Sequence, residues 1–570
     1  MPILEAPSKT TPPDCQLVEA LLLQQQETTA VDRFAQHHEQ ASKPLLAGHY
    51  RDLIPLSAPT PGEQYAFEID LDACSGCKSC VAACHNLNGL DESEQWRAVG
   101  LLHGGSDQLP VLQHVTTACH HCLEPACLTG CPVLAYDKDP LTGIVRHLDD
   151  QCIGCQYCVF MCPYDVPQYN ASKGIVRKCD MCHDRLAVGE APACVQSCPN
   201  EAIRIRTVSI DSVIEESETN QFLPTAPEPG VTLPTTVYKS DKPLPRNLLP
   251  ADYFSANRQH SHFALVVMLV LTQLSVGAFV VGQLLVSGPW ADPLMLSAIR
   301  PAYSIAGLVV ALVGMNAAVF HLGRPLYAFR ALLGLRTSWL SREILAFAVF
   351  AGFALAGTIS VWLATDRPSL VPWADGLGMM TVLSGIFAVF CSVMIYVKTN
   401  RPFWSPHRTI SKFLLTSLVL GMPIALLVSL IASYWSSELS APSIMQSYGQ
   451  SLCRWLMIAV TTKLGLEASV LLWLRNRQFT PLKRTALLLT GELSMTNLLR
   501  YFFGAMGGLL LPLVLLSEKA TMLGAEAYQP MFMGFIVVLI TGLLLVGELM
   551  ELYLFFAASV APKMPGAACT

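Results

Sequence analysis

Residues 74–84 read CSGCKSCVAAC and residues 152–162 read CIGCQYCVFMC, the same C-x2-C-x2-C-x3-C spacing twice. Two further groups follow the pattern with a wider middle: Cys119, Cys122, Cys127 and Cys131, then Cys179, Cys182, Cys194 and Cys198. Three of the four groups end in Cys-Pro, at Cys131, Cys162 and Cys198. A tight C-x2-C-x2-C loop wraps three thiolates around one face of an iron–sulfur cubane. The fourth cysteine, at the following helix, ligates the other cluster of a two-cluster unit. Zinc ribbons also use C-x2-C pairs, but an ion held by two pairs has no use for a third and fourth cysteine at this regular spacing.

The exchanged fourth ligand predicts how the groups pair. Cys119, Cys122 and Cys127 with Cys162 hold one cluster, and Cys152, Cys155 and Cys158 with Cys131 hold its partner. Cys74, Cys77 and Cys80 take Cys198, while Cys179, Cys182 and Cys194 take Cys84. All sixteen positions are cysteine, so four 4Fe–4S clusters are expected and no gap suggests a three-iron cluster. Cys15, Cys391, Cys453 and Cys569 fit no group.

Outward from the cysteines the chain divides sharply. YAFEIDL before Cys74 and AIRIRTVSI after Cys198 read as strands. Residues 64–212 are therefore an α+β, ferredoxin-like domain of two dicluster units. Residues 1–63 read as a partly disordered extension with one short helix in QLVEALLLQQQ, and the Pro-, Ser- and Thr-rich residues 213–257 as an extended linker. The opening segment shows no cationic stretch before an apolar core and no twin arginine, so export under its own signal is not expected. A cysteine-dense segment in the cytoplasm points to metal rather than disulfides.

The whole chain is 52% hydrophobic and only 14% charged, with a net charge of −6 that offers nothing to nucleic acid. The apolar excess lies in residues 258–560, where eight runs reach the roughly 20 residues a membrane helix needs. Their expected limits are 261–287, 303–321, 343–364, 378–397, 411–434, 451–474, 497–517 and 530–557. Lys and Arg crowd the loops and their edges on one side, from Arg324 and Arg330 through Lys398, Arg401, Arg408 and Lys412 to Lys483 and Arg484. The other side carries only Arg300, Arg367 and Lys519. Positive charge stays inside, so the cysteine domain is expected on the cytoplasmic face of the inner membrane. Within the helices, Lys463 and Glu467 stand four apart on one face, and Arg500, Glu548 and Glu551 are further charges that belong in a bundle interior. A structural ion pair and a proton path are both open for them.

The four cysteine segments, CHHCLEPACLTGCP and KCDMCHDRLAVGEAPACVQSCP among them, resemble the iron–sulfur subunit of the DMSO reductase family of molybdoenzymes, over about residues 64–245. AVFHLGRPLYAFRALLGLRTSWLSREI resembles the second-to-third helix turn of that family's eight-helix membrane anchor, and GELMELYLFF its last helix. The resemblance implies a fusion of two chains that are usually separate. It also implies a quinone as substrate, with His321 and Glu343 contacting it and Arg324 nearby, and a separate molybdopterin catalytic subunit as partner. An imidazole can hydrogen-bond a quinone carbonyl, and a carboxylate can take the second proton. The simpler alternative has His321 capping its helix and Glu343 pairing with a loop arginine. No molybdopterin-binding segment is evident, so the chain is not expected to be an enzyme by itself. The same wiring serves a reductase or a cytoplasm-facing dehydrogenase, for example of sulfite. A redox-coupled ion transporter is disfavoured by the lack of repeated acidic positions across the helices.

Overall fold

The computed structural model describes residues 47–565 apart from 221, 289–292, 435–439 and 518–528, together with Gln36 and Gln40. The helix expected in QLVEALLLQQQ, and Cys15 and Cys569, lie outside the described residues.

Strand β1 (Glu63–Asp70) alternates half-buried and buried positions, so Phe67 and Ile69 reach the core while Glu68 faces outward. It pairs antiparallel with β8 (Ile203–Ser209), bringing the chain before Cys74 beside the chain after Cys198. A second sheet is built on the hairpin β2 (Ala98–Gly105) and β3 (Pro110–Thr117). Two short hairpins, β4 (Tyr136–Lys138) with β5 (Val145–His147) and β6 (Gln168–Asn170) with β7 (Ile175–Arg177), separate the later cysteine groups. The result is a ferredoxin-like α+β region of small sheets and short helices.

The linker expected over 213–257 is corrected by these sheets. The helix Ile210–Glu218 opens it, β9 (Val237–Lys239) adds to β1 in parallel, and β10 (Leu249–Pro250) pairs with β2. Thr232, Thr235 and Thr236 are buried. Proline and threonine tolerate edge-strand positions, so a composition that forbids a long helix still closes both sheet edges.

Among the described residues, eight helices are long and apolar enough to cross a membrane. They are α1 (Phe263–Ser287), α2 (Ser297–His321), α3 (Trp339–Asp366), α4 (Pro368–Val397), α5 (Pro406–Ser433), α6 (Ala441–Arg475), α7 (Ser494–Leu516) and α8 (Pro530–Ala557). Several begin earlier than their apolar runs; α4 starts at Pro368 and α6 at Ala441, because proline in the first turn costs no hydrogen bond. Helices α1 and α5 cross at backbone contact. A Cβ on Gly277 would collide with the Ser417 carbonyl oxygen, and one on Gly421 would collide with the Gly277 carbonyl group. Small residues allow this approach where lipid offers no hydrophobic drive for helices to associate. An unforeseen short helix, Pro481–Thr490, lies between α6 and α7, with Thr480 accepting from the Lys483 amide as its N-cap.

Candidate electron-transfer site

Each cysteine group begins in a loop that turns through left-handed backbone. Gly76 and Lys78 have φ of 72° and 64° in the first group, and Gly154 and Gln156 have 69° and 59° in the third. His121 (43°), Met181 (60°) and Cys182 (50°) do the same in the second and fourth. The third cysteine of each group lies on a short helix: Ser79–Leu87, Ala126–Gly130, Tyr157–Met161 and Ala193–Gln196. Proline directly after Cys131, Cys162 and Cys198 prevents three of these helices from continuing.

The fold gathers the thiols by space and not by sequence group. One cavity is lined by Cys119, Cys122, Cys127 and Cys162, and another by Cys74, Cys77, Cys80 and Cys198. Cys131 lies among Cys152, Cys155 and Cys158, and Cys84 among Cys179, Cys182 and Cys194. Among the described residues no three His, Cys, Asp or Glu side chains converge as a single bare ion would need. Four thiols spaced around a cavity suit a polyatomic cluster.

Burial pushes the Cys84, Cys162 and Cys182 thiols up to about 12. Ligation to a metal is what makes such buried sulfurs thiolates at neutral pH. Cys152 goes the other way: burial would raise it, but the His147 imidazole beside it and backbone amides bring it below the ordinary thiol value. Backbone amides also point at the sulfurs, Ala135 to Cys131 and Ala202 to Cys198, both at 3.2 Å. Hydrogen bonds of this kind and nearby charge set the potential of a cluster.

The third-group loop sits directly on the membrane bundle. Phe160 meets Trp404 edge-on with centroids 5.6 Å apart, and Arg401 stacks over the Phe160 ring at 5.2 Å. The Tyr157 hydroxyl donates to the Ile395 carbonyl at 3.1 Å. Gly154 and Gly174 of the cysteine domain touch Gly323 of the turn after α2, where a Cβ on Gly323 would collide with the Gly174 carbonyl oxygen. The glycine of the HLGRP turn is therefore a docking point between the two regions. The segment Pro325–Leu332 continues along the junction, with Leu326 and Phe329 largely exposed.

His321 and Arg324 are both at this junction. The His321 ring has Nδ1 2.9 Å from the Ala318 carbonyl and Nε2 3.3 Å from the Cys155 carbonyl. The Arg324 amide donates to Ile153 at 3.1 Å and its guanidinium to the Asp149 carbonyl at 2.8 Å. Glu343 is buried near the start of α3, where it accepts a hydrogen bond from the Ser392 hydroxyl of α4. Among the described residues it pairs with this hydroxyl rather than with a loop arginine. His262, missed by sequence reasoning, meets His321 edge-on with centroids 6.1 Å apart and faces Gln156 of the third-group loop at 3.0 Å. Its position just before α1 carries no local signal.

Farther into the bundle the charged residues form one assembly. Arg500 grips Glu467 through two bonds of 3.0 and 3.1 Å and reaches Glu548 at 2.9 Å. Lys463 approaches Glu548 at 2.5 Å, and Lys412 approaches Glu551 at 2.7 Å. The Lys463–Glu467 pair expected from spacing is the longer contact, 3.9 Å. Three cations thus face three carboxylates, tying α5, α6, α7 and α8 together. Lys412 read from sequence as a loop-edge charge, because it stands only a turn and a half into α5.

Comparison with known proteins places both regions. Residues 111–208 match the 4Fe-4S dicluster domain, and residues 257–557, over half the chain, match the DMSO reductase anchor subunit (DmsC). The B subunit of the anaerobic dimethyl sulfoxide reductase of Haemophilus influenzae is 35% identical over 189 residues, which span 32% of this chain and 91% of that one. Its namesake in Escherichia coli K12 is 40% identical over 148 residues, 25% of this chain and 72% of that one. The formate dehydrogenase-O iron-sulfur subunit of the same organism is 35% identical over 189 residues, 28% of this chain and 63% of that one. The chain therefore belongs to the DMSO reductase anchor family and carries, fused ahead of that multi-pass membrane anchor, an iron–sulfur electron-transfer region similar to the B subunit of anaerobic dimethyl sulfoxide reductases.

Proposed function

We propose that the chain carries electrons between a membrane quinone and a separate molybdopterin-containing catalytic subunit, through four 4Fe–4S clusters held by the four cysteine quartets. One-electron exchange is the chemistry such clusters supply when bound. The observation that carries the quinone end is the contact of the Cys152–Cys155 loop with the His321 turn, which leaves the last quartet at the membrane edge. If Nδ1 of a neutral His321 donates to Ala318, Nε2 is left as an acceptor facing another acceptor, the Cys155 carbonyl. A quinol hydroxyl is the donor that this nitrogen lacks. The exposed apolar residues Phe320, Leu326 and Phe329 flank the turn and give a lipid-dissolved ring a route to it. Glu343, buried one helix away, is the candidate to hold a second proton.

The anaerobically purified chain is expected to contain about sixteen iron and sixteen sulfide, four of each per cluster. After chemical reduction, a short-chain quinone analogue should reoxidise the clusters. Zinc in place of iron defeats the cluster reading, and full iron that a quinone cannot oxidise defeats the quinone reading.

The Lys and Arg bias supports a cytoplasmic cysteine domain and, with eight crossings, a cytoplasmic C-terminus. A reporter fused after Thr570 should be active only in its cytoplasmic form. Activity confined to a periplasm-dependent reporter reverses the orientation.

A further inference from the structure

Arg97 is 2% exposed, yet no carboxylate among the described residues lies within ion-pair distance of it. Its Nη1 donates to the Thr116 hydroxyl at 3.1 Å, and that oxygen lies 3.6 Å from the Cys80 sulfur. Its other neighbours are the Phe67 ring, 4.6 Å away, and the Cys194 thiol, which feels its charge. Nη2 has no hydrogen-bond partner. Burying a guanidinium without a counter-charge costs far more than a small domain can bear, and arginine cannot shed its proton. The negative charge must come from the sulfurs around it. Cys80 belongs to the quartet of Cys74, Cys77 and Cys198, and Cys194 to the quartet of Cys84, Cys179 and Cys182. Arg97 stands between two cluster sites, beside ligands of both.

We propose that Arg97 is a shared positioning charge that holds the reduction potentials of these two neighbouring clusters up, so that electrons cross between them. A fixed positive charge favours the reduced, more negative state of whatever it faces, and low-dielectric burial keeps water and salt from screening it. Lys178 repeats the device at the next junction. It is 2% exposed, donates to the carbonyls of Val145 and, at 2.9 Å, Cys179, and lies close to Cys119 and Cys127 of the neighbouring quartet. The quartet of Cys131, Cys152, Cys155 and Cys158 has neither cation and serves as the internal reference.

The inference rests on the four-cluster reading, and iron and sulfide content separates the two. The test is an EPR-monitored redox titration of membranes holding the full chain with its partners, for the parent, Arg97→Gln and Arg97→Lys. With full iron, Arg97→Gln should lower two of the four midpoint potentials by at least a tenfold change in the oxidised-to-reduced ratio, 59 mV for one electron. Arg97→Lys, which keeps the charge and loses the fork, should leave both near the parent values. Unmoved potentials in Arg97→Gln, or a fall in all four together, overturn the proposal. If Arg97→Gln loses iron, Arg97→Lys decides: full iron with parental potentials supports a charge role, and lost iron or shifted potentials refute it. A parent without iron refutes the cluster reading itself.

Discussion

Arg500→Leu is expected to destabilise the anchor by about 3–5 kcal/mol, the cost of removing one partner from a buried charge network. The substitution strips Glu467 of both its short bonds and Glu548 of one, leaving carboxylates that are 9% and 0% exposed. Lys463 cannot serve both, since it already sits on Glu548 and is 3.9 Å from Glu467. In detergent the variant should unfold at a clearly lower temperature and accumulate poorly in membranes. Removing both charges together, Arg500→Leu with Glu467→Leu, should recover most of the loss, because well-packed apolar residues replace a buried ion pair at little cost. Parental stability of the single variant would show that the network does not hold α6, α7 and α8 together.

His321→Leu should reduce quinone-linked electron transfer by about tenfold or more. A buried partner left without its hydrogen bond costs about 1–3 kcal/mol, and about 1.4 kcal/mol is a factor of ten. Cluster content and EPR signals should persist, because the cysteine quartets are built without this side chain. Chemical reductants should still reach the clusters. The ring also faces the Cys155 carbonyl, so His321→Gln, which keeps one polar contact, separates docking from quinone binding. A leucine variant with parental quinone turnover places the quinone elsewhere, with Glu548 and Glu551 the next candidates. Loss of clusters in both variants assigns His321 to docking alone.

Much of the fold was legible from local pattern. A thiol quartet needs a turn every third residue, and a membrane span needs a run of apolar residues; both are short-range rules that a sequence displays directly. The strands flanking Cys74 and Cys198 could be read for the same reason. The segment over 213–257 misled because its role as edge strand depends on partners more than a hundred residues away, Val237 opposite Glu68 and Leu249 opposite His103. Composition records the absence of a long helix, and says nothing of a vacant sheet edge.

The spacing of sixteen cysteines and the eight apolar runs determined, without any coordinates, an iron–sulfur region joined to a membrane bundle. Tertiary structure alone decided which charges meet. Lys463 prefers Glu548, 85 residues away, to Glu467 on its own helix, because α8 brings its carboxylate closer than one helical turn does. It alone placed Gly154 and Gly174 against Gly323, and Arg97 between two quartets whose ligands run from Cys74 to Cys198. Such placements follow from long-range packing. A side chain's neighbours across an interface are set by how whole elements dock, and no periodicity along the chain encodes them.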